Sequence, residues 1–119
     1  MSWIYEQTTG ALYHGEAFVC DGYSGTGIGK NNPGMEAVHD VGPIPEGTWT
    51  IGPAETHPDL GPVVMALTPD GPAPFGRTGF FIHGDSREHP GNASHGCIIM
   101  PRPAREAIAM SGDNMLEVE

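Results

Sequence analysis

The sequence predicts a mostly β, sandwich-like domain over residues 1–119 with one short helix late in the chain. Three observations predict it. The 119 residues hold 18 glycines and 12 prolines, so elements are short and turns frequent. Runs such as Gly79-Phe80-Phe81-Ile82 and Cys97-Ile98-Ile99-Met100 are too apolar to stay solvated, which excludes disorder. A chain of this size buries roughly 65% of its unfolded surface, enough for a core without staples. Long coiled coils, helical bundles and solenoids are excluded. No apolar run approaches the ~20 residues that span a bilayer.

The elements follow in order. Ser2–Gln7 carries Trp, Ile and Tyr and reads as a strand, closed by a Thr8-Thr9-Gly10 turn; Ala11–Tyr13 and Glu16–Cys20 are the next two strands. Gly22–Gly34 reads as a long loop. Its Gly-Ile-Gly-Lys core invites comparison with a phosphate-binding loop, but Ser24 and Asn31 stand where that pattern needs Gly and Ser/Thr. Gly42-Pro-Ile-Pro-Glu-Gly47 and Gly71-Pro-Ala-Pro-Phe-Gly76 are two turns of one pattern. Strands are predicted at Thr48–Ile51, Val63–Leu67, Gly79–His83 and Gly96–Met100. Pro101–Met110 is the helix, with Pro103 in its first turn, a stripe of Ala104, Ile108 and Met110, and Gly112 as its stop. Asn114–Glu119 is the closing strand.

The net charge is −10, and it is unevenly spread. Residues 1–76 carry Lys30 against nine acids, whereas residues 77–105 carry Arg77, Arg87, Arg102 and Arg105 against Asp85 and Glu88. Such a chain lacks the positive field that drives phosphate association, so no nucleic-acid partner is expected. The arginine-rich stretch suggests a local site for an anionic group. The two cysteines, Cys20 and Cys97, form no CxxC pair. Cys20 reads as a core thiol, and the sequence leaves a Cys20–Cys97 disulfide open.

The densest chemistry lies between Phe81 and Ile98, which hold His83, His89, His95 and Cys97. A free thiol near pKa ~8.5 is only a few per cent thiolate at neutral pH, so a catalytic cysteine needs a base or cation beside it. His83 ends one apolar strand and Cys97 begins the next; if those strands are neighbours, the two side chains can meet. Gly96 removes a side chain just before the nucleophile, letting a carbonyl approach backbone N–H groups. Two rivals stand against this. One is a zinc-dependent cell-wall peptidase with His83, Asp85, His89 and His95 as ligands, although no HExxH is present. The other is a non-enzymatic, acidic cell-wall-binding module. His14, His39 and His57 read as surface or turn residues.

The motif residues resemble the L,D-transpeptidase catalytic domain of peptidoglycan enzymes (YkuD-like). Its signature is a His, a spacer, then Ser/Thr-His-Gly-Cys; here His83 precedes Ser94-His95-Gly96-Cys97-Ile98. The opening Gln7–Leu12 turn and Ile44-Pro45-Glu46-Gly47 before a strand agree with it. The short spacer, Ile99 in place of the usual Asn or Arg, Gly-Tyr-Ser-Gly and Ile-His-Gly-Asp look more like a compact branch among type VI secretion effectors and phage-borne genes. The resemblance implies an L,D-transpeptidase-like β-sandwich. It implies Cys97 as nucleophile, His83 as general base and the Gly84 carbonyl as orienter of its ring. Ser94, His95 and Gly96 shape the pocket, and Arg102 or Arg105 clamps a substrate carboxylate. The implied partners are peptidoglycan tetrapeptide stems, a cognate immunity protein and secretion machinery, with no metal or other cofactor. The implied chemistry is L,D-carboxypeptidase cleavage or D-amino-acid exchange through a Cys97 thioester. Met1–Glu6 shows neither a basic n-region nor an apolar h-region, so synthesis in the cytoplasm and dedicated delivery to the periplasm are expected.

Overall fold

In the computed structural model, which describes residues 2–119, the chain is mostly β, as its glycines, prolines and short apolar runs dictate. Nine strands form one sheet among the described residues: β1 (Trp3–Tyr5), β2 (Ala11–His14), β3 (Ala17–Asp21), β4 (Tyr23–Ser24), β5 (Gly47–His57), β6 (Gly61–Pro69), β7 (Phe80–His83), β8 (Ile98–Ile99) and β9 (Met115–Val118). The one α-helix, α1, is Arg102–Ser111. Across the sheet the order is β3-β2-β1-β9-β5-β6-β7-β8-β4.

The sheet's two edges, β3 and β4, are separated in the chain by Gly22 alone. The sheet must therefore curl until its edges meet, and the expected sandwich layers are two halves of one continuous sheet. The seam is tight. Gly22 N–H donates to Gly10 O at 2.7 Å, and a Cβ at Gly22 would overlap the Ile99 carbonyl. The curl wraps one core, in which Trp3, Tyr5 and Leu12 from one half meet Phe80, Ile82 and Ile98 from the other around Trp49, Met65 and Leu116. Cys20, half-buried, packs against this core with Sγ 3.4 Å from Met100 Sδ, and both cysteines are free thiols.

Two expectations need correction. The segment after Gly22 is not all loop: Tyr23–Ser24 pairs with β8, and one-turn 3-10 helices follow at Gly27–Gly29 and Pro33–Met35. In α1, Met110 is 87% exposed, and the buried face is Ala104, Arg105 and Ile108. Arg105 is on that face because backbone carbonyls satisfy its charge, as described below. The helix stops where expected, at Gly112 with φ 72°. The predicted Thr48–Ile51 strand is the first part of the long β5, which turns back as β6.

Candidate active site

Strands β7 and β8 are parallel neighbours, with Ile82 opposite Ile98 and His83 opposite Ile99. Ile82 and Ile98 face the core, so by the two-residue alternation of a strand Phe81, His83 and Ile99 occupy the other face, and Cys97 lies one residue before β8. His83 thus ends β7 and Cys97 immediately precedes its parallel neighbour β8, the strand adjacency on which the sequence reading depended.

The His83 side chain is buried, and its Nδ1 lies 2.8 Å from Gly84 O. A carbonyl can only accept, so Nδ1 carries the proton and Nε2 keeps its lone pair. Burial pushes the His83 pKa below the ordinary imidazole value; the Gly84 hydrogen bond opposes this, and the nearby Arg105 charge adds to it. The ring is therefore neutral near pH 7 and basic at Nε2.

Cys97 is half-buried and lines a cleft of about 270 Å³ with Thr78, Gly79, Phe80, Arg77 and His95. Its Sγ is 3.8 Å from Gly79 O. Burial raises the thiol pKa, while the Phe81 N–H and the Arg77 charge lower it. No hydrogen bond joins Cys97 to His83 among the described residues. Hydrogen bonds between a nucleophile and its base are often long in resting sites and tighten on substrate.

The motif around Cys97 is held from behind. Ser94 is fully buried, and its hydroxyl accepts from Gly25 N–H at 2.9 Å and Gly96 N–H at 3.0 Å while donating to Cys97 O at 2.6 Å. With all these positions used, Ser94 braces the motif and does not face substrate. Gly96 adopts φ +132°, and a Cβ there would meet Arg77 Nη2 at 2.6 Å and Phe80 Cε1 at 2.9 Å, so only glycine fits. His95 is exposed on the cleft wall, its Nδ1 3.2 Å from Asp40 O.

The arginines occupy three different settings. Arg105 is buried, with Nε donating to Met100 O at 3.0 Å and Nη1 to Pro62 O at 2.9 Å and Val63 O at 3.0 Å. These bonds occupy Nε and Nη1 and make Arg105 a strut behind Gly84, while its Nη2 lies beside Gly84 with no hydrogen-bond partner among the described residues. Arg102 is exposed beside a separate cavity of about 370 Å³, and its ion pair with Glu106 is loose at 3.8 Å. It lies away from the Cys97 cleft. The residue that the sequence reading left unassigned is Arg77. It is 3% exposed and reaches Glu36 O, Pro43 O, Gly42 O and His95 O, with its guanidinium 5.1 Å over the Phe80 ring. The only sequence signal for it was its place in the arginine-rich stretch.

The four zinc-ligand candidates do not converge. Asp85 accepts from Tyr23 OH at 2.5 Å and from the Ser86 and Gly91 N–H groups, organising the loop after β7. His95 points to Asp40, and no cluster of three potential ligands occurs among the described residues. No helix among them is long and apolar enough to cross a membrane.

Comparison with known protein families matches residues 19–117 to the Tlde1 domain, a span that runs from within β3 to within β9 and includes every residue of the site above. No curated protein matches the chain.

Proposed function

Because the chain belongs to the Tlde1 domain family, L,D-transpeptidase-like type VI effectors that act on peptidoglycan, we propose that it is a cysteine enzyme of tetrapeptide stems. The bond it attacks joins the L-centre of diaminopimelate to terminal D-alanine. One observation carries this reading: His83 is tied through Nδ1 to Gly84 O, which leaves a neutral, basic Nε2 at the end of the strand beside β8, which Cys97 immediately precedes.

The steps follow from these groups. Nε2 accepts the thiol proton as Sγ bonds to the carbonyl carbon, and the carbonyl electron pair moves onto oxygen. Collapse of that oxyanion breaks the C–N bond, and the imidazolium returns its proton to the departing D-alanine amine. Water, deprotonated by the again neutral His83, then attacks the thioester. The tripeptide leaves as the carboxylic acid and Cys97 regains its proton; a D-amino-acid amine in place of water gives exchange. A neutral thiol–imidazole pair suits this route, because the base must be unprotonated when substrate arrives.

On this reading the protein acts in the periplasm, where its stem-peptide substrate lies, after delivery by secretion machinery and under control by an immunity protein. The test fuses a periplasmic signal peptide to the chain in a Gram-negative host. Wild type should be toxic and convert tetrapeptide to tripeptide muropeptides by mass spectrometry; Cys97→Ser should be harmless at equal abundance, and Cys20→Ser should match wild type. Unchanged muropeptides in the wild-type strain, or a Cys97→Ser strain with the same products, would overturn the thioester reading.

A further inference from the structure

The serine of the glycine-rich segment has no part in the steps above, yet it touches the backbone of the nucleophile. Ser24 is fully buried. Its hydroxyl donates to Gly96 O at 2.9 Å and accepts from Ile44 N–H at 2.8 Å. The rest of the stretch is equally tied: His95 O to Arg77, Gly96 N–H and Cys97 O to Ser94. Between His95 O and Cys97 O, one polar backbone group has no hydrogen-bond partner among the described residues, and it is the Cys97 N–H.

A trans peptide is planar, with its C=O and N–H on opposite edges. Holding Gly96 O on the interior Ser24 hydroxyl therefore aims the Cys97 N–H the other way, toward the cleft that Cys97 lines. An aimed donor that need not reorient is what a developing oxyanion requires. We propose that Ser24 is a positioning residue for acyl transfer, setting the Gly96–Cys97 peptide plane so that the Cys97 N–H meets the oxyanion. This rests on Cys97 being the nucleophile. It also explains why the segment has serine: the position needs a donor to a carbonyl and an acceptor for an N–H in one small side chain.

The test separates oxyanion stabilisation from thiol reactivity. In a Cys20→Ser background, p-nitrophenyl acetate acetylates Cys97 through a tetrahedral oxyanion, releasing p-nitrophenolate. Iodoacetamide alkylates the same sulfur by displacing iodide, with no oxyanion. Ser24→Ala should slow acetylation by roughly 10- to 100-fold and leave alkylation within about twofold of wild type. Ser24→Thr and Ser24→Val form a second pair of equal shape that differs in the hydroxyl alone. Thr should keep the wild-type ratio of acetylation to alkylation, and Val should lose it, even if Ser24→Ala does not fold. Rates that fall together, or a Thr and Val pair with equal ratios, would overturn the proposal. D-alanine release from a tetrapeptide is measured alongside. A hydroxyl-dependent acetylation ratio without D-alanine release refutes the substrate reading and leaves Ser24 in its role. D-alanine release with an unchanged ratio refutes Ser24 alone, and no acetylation of wild-type Cys97 refutes both.

Discussion

Replacing Arg77 by Met keeps most of the side-chain volume and removes the guanidinium. The consequence can be worked from its contacts. Four carbonyls, of Glu36 at 2.7 Å, Pro43 at 2.8 Å, Gly42 at 3.1 Å and His95 at 3.4 Å, lose their donor in a site where Arg77 is 3% exposed. At a net value of about 1 kcal/mol for each such bond, the loss is about 3–5 kcal/mol. Unfolding entropy of ~2.1 cal/mol/K per residue over 119 residues is about 0.25 kcal/mol/K, so Tm should fall by roughly 12–20 °C. The second readout is electrostatic. The Arg77 charge draws the Cys97 pKa down, so the midpoint of the pH–alkylation curve should move up in Arg77→Met. Arg77→Lys should return the midpoint toward wild type without restoring Tm, because an ammonium supplies the charge but not the planar fork. Scanning calorimetry and iodoacetamide rates against pH give both quantities. A Tm loss below about 4 °C, or an unmoved alkylation midpoint, would refute the view of Arg77 as a strut and as a field on the thiol.

Three further outcomes are expected. With the His83 pKa lowered by burial, kcat/KM should rise with pH through a midpoint below 6.5 and be flat above it until the thiol titrates; an acid limb at or above 6.5 would refute a buried neutral base. The same shift has a stability sign: below pH 6.5 the unfolded chain binds a proton at residue 83 that the fold resists. Stability present above 6.5 is thus lost as pH falls toward the folded value, and His83→Gln should flatten that acid-side loss in thermal melts. Gly96→Ala should cost at least about 2 kcal/mol and abolish acetylation, since its Cβ meets Arg77 Nη2 at 2.6 Å at a backbone φ of +132°; an unchanged melting temperature would show that the stretch can relax.

Much of the fold was legible because its signals are local. The β-prone apolar runs at Trp3–Tyr5 and Phe80–His83, turn residues at Gly42–Gly47, and Pro103 with Gly112 around α1 each act within a few residues. The curl was not legible, because closing a sheet through Gly22 depends on the order of strands distant in sequence. Tyr23–Ser24 is a strand only because β8 lies beside it, and its glycine-rich flanks carry loop signals. The same division runs through the site. The His83 and Cys97 types and spacing marked the candidate site, and the parallel pairing of β7 and β8 brings the end of one strand beside the start of the other. Charge alone did not distinguish the arginines. Arg102 and Arg105 follow the motif directly in sequence, yet one is on the surface and the other holds backbone carbonyls, whereas Arg77, twenty residues before Cys97, lines its cleft.

Two buried guanidiniums flank Cys97 and His83, and their separate effects favour the same proposed reaction. Arg77, beside Cys97, lowers the thiol pKa, easing loss of the proton. Arg105, packed against Gly84, disfavours a positive charge on His83 and so keeps the ring unprotonated until the thiol supplies a proton. Neither forms an ion pair with a carboxylate among the described residues; each is held by backbone carbonyls. A carboxylate partner would have cancelled much of the field that acts on the site, whereas carbonyl dipoles satisfy the donors and leave the net charge in place. That choice of partner lets one pair of residues serve both as braces of the fold and as fixed charges for its chemistry.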